Sequence, residues 1–62
     1  MKEIVNILMQ RDGISENEAY NLVEECMIEV EEAIAAGNYI EAEDIFMDYL
    51  DLEPDFLINL LC

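Results

Sequence analysis

Apolar residues recur along this chain at helical spacing, in four blocks separated by turn signals. The longest block, from Ser15 to Gly37, carries its own start, face and stop. Ser15, with Glu18 three residues on, has the form of a capping box, in which each side chain satisfies the other residue's free backbone donor. Gly37 supplies a left-handed stop. On a helical wheel Ala19, Tyr20, Leu22, Val23, Cys26, Met27, Val30, Ala33 and Ile34 share one arc, while the opposite arc is mostly Glu and Asn. The block predicts a half-buried helix of about six turns, a spine that the rest of the chain must cover.

The flanking blocks are shorter. Met1, Ile4, Val5 and Leu8 stand at i, i+3, i+4 and i+7, and with Ile7 and Met9 they predict a helix over residues 2–11, closed by Arg11-Asp12-Gly13. Ile14 is placed to staple onto Ala19. After the spine, Gly37-Asn38-Tyr39 reads as a tight reversal, with Asn38 as the cap of a third helix and Glu41 three residues later. Tyr39, Ala42, Ile45, Phe46, Tyr49, Leu50 and Leu52 form the apolar arc of that helix, over residues 39–52, and the short turn lays it antiparallel on the spine. Leu52-Glu53-Pro54 breaks the pattern, because the residue before a proline avoids the helical region while proline suits a first turn. The last helix, residues 54–61, is apolar nearly all round, with Phe56, Leu57, Ile58, Leu60 and Leu61. No stretch alternates with period two. The expected fold is all-α, a small four-helix domain spanning residues 1–62 with its spine at 16–36.

Composition sharpens this reading. The chain of 62 residues is 55% hydrophobic and carries 16 acidic against 2 basic residues, a net charge of −14. Disorder driven by charge needs low hydrophobicity as well, so the combination points to helices with sharply divided faces. A domain of this size buries only about 60% of its unfolded surface, so some apolar surface is left for a partner or another copy. The acidic balance argues against direct contact with nucleic acid or an anionic membrane, since Lys2 and Arg11 cannot neutralise a phosphate track. A basic protein would be steered toward it. Cys26 and Cys62 are too few for a disulfide framework and read as free thiols. With no long apolar span and no signal-peptide block, the expected address is the cytoplasm.

Two resemblances follow from the turns. The spacing Gly-Asn-Tyr-x-Glu-Ala followed by Leu-x-Leu-x-Pro, residues 37–54, resembles the second half of a tetratricopeptide repeat. The first half departs from that family, with Cys26, Glu29 and Val30 where an aromatic, a leucine and a glycine are expected, so the likeness implies a shared helix-hairpin turn and no solenoid. Arg11-Asp12-Gly13-Ile14-Ser15, the turn at 36–39 and Leu-Glu-Pro-Asp-Phe-Leu at 52–57 make the whole chain similar to small acidic helical proteins of bacteriophage and mobile-element genomes. That likeness implies no activity for any residue.

The inventory of reactive groups is poor. There is no His, the single Ser is a cap, and neither Cys has a base beside it, so no enzyme activity and no cofactor are expected. Glu24-Glu25, Glu31-Glu32 and Glu41-x-Glu43-Asp44 lack the alternating ligands and central glycine of a calcium loop and read as solvated acids, with no metal expected. Their regularity is more informative. Glu18, Glu25, Glu29 and Glu32 share one stripe of the spine, and Glu41, Asp44, Asp48 and Asp51 form a counterpart on the third helix. Successive charges fall roughly 4 to 10 Å apart, comparable with phosphates on a nucleic-acid strand. Three apolar residues break the acidic faces: Ile28 on the spine, and Ile40 and Met47 one heptad apart on the third helix. They are either a partner surface or homodimer seam, or positions that a terminal helix folds over. The leading expectation is an acidic, non-enzymatic protein-interaction module with a basic protein partner. The alternatives are a DNA-mimic inhibitor of a nucleic-acid-binding enzyme and a structural homo-oligomer subunit.

Overall fold

The computed structural model, which describes residues 2–61, starts its longest helix directly after Ser15. Four helices follow in order: α1 (Lys2–Asp12), α2 (Glu16–Ala35), α3 (Tyr39–Leu50) and α4 (Asp55–Leu61). No strand occurs among the described residues, and the fold is all-α. Met1 and Cys62, part of the expected α1 stripe and the second thiol, lie outside the described residues, as does the side chain of Leu61. At 1.5 Å per residue α2 is about 30 Å long. The longest dimension of the molecule is 34 Å, so α2 spans nearly all of it.

The caps explain the boundaries. Ser15 Oγ accepts the Glu18 backbone N–H at 3.2 Å, and the Glu18 carboxylate takes the Ser15 hydroxyl at 3.4 Å. The second contact differs from a full capping box, in which the carboxylate would accept the backbone N–H of the cap. At the other end Gly37 has φ +81°, its N–H donates to the Ile34 carbonyl, and the Asn38 N–H donates to the Ala33 carbonyl, both at 2.9 Å. This is a Schellman closure. Asn38 does not cap α3 with its side chain as expected, because at φ −105° and ψ 69° it is outside the extended region a cap requires. Its backbone serves both helices instead, the N–H closing α2 and the carbonyl accepting the Ala42 N–H at 3.0 Å.

The third helix is two residues shorter than its apolar arc. Asp51, assigned to the acidic row of that helix, has left it and sits at φ 52°, ψ 44° as a left-handed C-cap. Leu52 follows outside the helix but still packs on the core. The Asp51 carbonyl accepts Arg11 Nη1 at 2.9 Å, which ties the end of α1 to the end of α3. The left-handed region costs an L-residue about 1–2 kcal/mol, and a carboxylate is disfavoured at a helix C-terminus. Asp51→Gly is therefore expected to stabilise the protein by about 1 kcal/mol and raise Tm by several degrees in a calorimetric melt, since the Arg11 contact uses the backbone carbonyl. A Tm equal to or below that of the parent would refute this account of the cap.

Among the described residues thirteen apolar side chains form the core: Ile4, Val5 and Leu8 of α1; Ala19, Val23, Cys26, Met27, Val30 and Ala33 of α2; Ala42, Phe46 and Leu50 of α3; and Leu57 of α4. Among the described residues no polar or charged side chain is buried with them. The helix with the most extensive contact to α2 is α3, and α1 comes second, as short connections favour. Tyr39 departs from its expected place on the core arc and is 46% exposed. It opens α3 at the reversal, beyond Ala35, where α2 no longer offers a surface to cover it.

Candidate interaction surface

Carboxylates cover the outside of the helix hairpin because its buried side chains are all apolar, and the eight of the two expected rows take different places. Glu29, Glu32 and Glu41 come together, lining a shallow open groove of about 280 Å³ with Ala33, Ala36, Asn38 and Ile45. Both acidic rows thus contribute to this groove. Glu18 is engaged at the cap of α2, and Glu25 stands exposed on the same stripe. Asp44 and Asp48 are exposed outside the groove, and Asp51 belongs to the α3 cap. Among the described residues no three acidic or cysteine side chains are grouped to hold a metal ion.

Glu29 has a second role that its place on the outer stripe does not reveal. The Tyr49 hydroxyl donates to its carboxylate across the hairpin, linking α3 to α2. That hydrogen bond, with burial and the charges of Glu29 and Glu25 behind it, raises the Tyr49 pKa. Arg11 is likewise committed. Its Nε and Nη2 both contact the Asp12 carboxylate at 3.0 Å, which holds Asp12 below the usual carboxylate range and raises Arg11. With Arg11 occupied in this way, the surface keeps its acidic character.

The apolar outliers are uncovered. Ile28 is 61% exposed, Ile40 76% and Met47 36%, so neither α1 nor α4 folds over them. They do not form one patch. Val23, Cys26, Met27, Val30 and Ala33 define the inward side of α2, and Ile28 lies roughly 160° round the wheel from Val30. Ile40 and Met47 fall about 20° apart on α3 and share a flank. Ile40 also borders an open concavity of about 430 Å³ formed by the consecutive residues Gly37 to Glu41. Tyr39 and Ile58 join the exposed apolar set, the latter at 55%. The all-round apolar pattern of α4 concealed Ile58, because a helix apolar on every side gives no sign of which side is covered.

Neither concavity encloses a substrate-sized space with reactive groups. Among the described residues no helix is long and apolar enough to cross a membrane. Comparison with protein-family models, curated proteins and solved structures finds no match for the chain.

Proposed function

We propose that this chain is a non-enzymatic, acidic protein-interaction module. The observation that carries the reading is the exposure of Ile40 and Met47 on an acidic helix whose apolar core is complete without them. Uncovered apolar side chains framed by charge are the usual make-up of a recognition surface. Electrostatic attraction then favours basic proteins and speeds their encounter. The bacteriophage or mobile-element setting and a cytoplasmic address belong to the same proposal and rest on sequence alone.

The DNA-mimic reading is kept for one reason, the meeting of Glu29 and Glu32 with Glu41 along a single groove. The two readings part on salt. Binding to a panel of basic proteins is measured at about 50 mM and about 500 mM salt, where screening lengths differ severalfold. A module that uses Ile40 and Met47 retains a partner at high salt and loses it in Ile40→Glu/Met47→Glu, with helicity unchanged. Partners that vanish wholly at high salt, and compete with duplex DNA at low salt, replace this reading with the mimic. No partner at either salt defeats both.

A further inference from the structure

Ile40, Glu43, Asp44 and Met47 follow one another at i, i+3, i+4 and i+7 and so make one continuous patch on α3. Two apolar side chains stand two helical turns apart, about 10 Å, with two carboxylates between them. Ile40 and Asp44 are exposed, Met47 is 36% exposed and Glu43 is half-buried. None of the four contributes to the buried core.

Charge complementarity decides what covers this patch. A second copy fits badly, because two-fold pairing through the patch sets Glu43 and Asp44 against the same pair and brings together two chains of −14 each. A helix with apolar residues seven apart and cations between them fits well. Its apolar pair meets Ile40 and Met47 while its cations meet the carboxylates, the same spacing being read on both sides. We propose that this flank of α3 docks a cationic amphipathic helix of another protein, with two apolar anchors a heptad apart and Lys or Arg at the third and fourth positions between them. The inference rests on the interaction-module reading and names the chemistry of the partner.

The probe is a synthetic helical peptide of about 20 residues with leucines seven apart and arginines at the two intervening positions, set against a scrambled peptide of the same composition. Affinity is measured by fluorescence anisotropy, and the site by backbone amide shifts on the unsubstituted protein, which maps the site even if a variant misfolds. The patterned peptide is expected to bind about tenfold tighter than the scrambled one, with shifts centred on residues 40–47. Ile40→Ser/Met47→Ser should remove most of that preference. Glu43→Gln/Asp44→Asn should weaken binding and flatten its salt dependence, whereas Glu24→Gln/Glu31→Gln, an equal loss of charge at exposed positions of α2, should change affinity less than about twofold. Equal binding of both peptides, or equal weakening by the two charge-removing pairs, overturns the proposal and leaves the module reading standing. Binding of neither peptide also overturns it, and the module reading is then judged by its own panel of basic proteins. A dimer at neutral pH in sedimentation equilibrium, dissolved by Ile40→Ser/Met47→Ser, would give the patch to a second copy and overturn the choice of partner.

Discussion

Phe46→Ala is expected to leave the protein largely unfolded. Phe46 is the largest fully buried side chain, and it sits mid-helix on α3, facing α2, the helix that gives the core its largest share. Truncating a buried Phe removes transfer free energy and leaves a cavity, about 3–5 kcal/mol together. A single core in a chain this short rarely supplies more than about 3–5 kcal/mol in total. Loss and reserve are therefore of the same size. Phe46→Leu, which keeps most of the volume, should remain folded with a lower midpoint. Circular dichroism during urea titration checks both, and a Phe46→Ala midpoint equal to that of the parent would show that α3 does not depend on this contact.

Raising the pH from about 8 to about 11 should weaken the fold by about 2 kcal/mol, chiefly through Cys26. Burial first, and the charge of Glu29 second, push the Cys26 thiol up to about 11. In the unfolded chain the thiol ionises near its ordinary value of 9.0. The folded state thus holds its proton longer. The stabilisation is fully present below the unfolded value and is lost as the pH climbs through the folded one. Tyr49 acts in the same direction at higher pH, since its hydrogen bond to Glu29 needs the protonated hydroxyl. In a Cys62→Ser background, urea midpoints at the two pH values should differ clearly, and Cys26→Ala should abolish most of the difference. A midpoint unchanged across that range in the Cys62→Ser protein would refute the buried, protonated thiol.

Most of the architecture was legible because local chemistry and the apolar pattern agree. Ser15 starts α2 and Gly37 ends it because a hydroxyl that accepts a free N–H and a residue without Cβ act within one turn of chain. The end of α3 was less legible. Its apolar arc continued to Leu52, yet Arg11, forty residues away, grips the Asp51 carbonyl and fits a left-handed cap that the sequence near Asp51 does not announce. The surface was half legible. Ile40 and Met47 declared themselves by sitting among acids, but an apolar residue on a polar face reads the same whether solvent or another helix covers it.

The sequence by itself determined four helices, their apolar faces, the two glycine turns and an overwhelmingly acidic exterior, because each follows from contacts within a few residues or from composition. Tertiary structure alone decided that Glu29 and Glu32 share a groove with Glu41, that Tyr49 is joined to Glu29, and that Ile28 stands apart from Ile40 and Met47. Those relations depend on how α2 and α3 are rotated against each other, and that rotation is fixed by the packing of Val30, Phe46 and their neighbours in the core. A wheel drawn for each helix contains no information about its partner. The same packing left the Ile40–Met47 flank free of other helices.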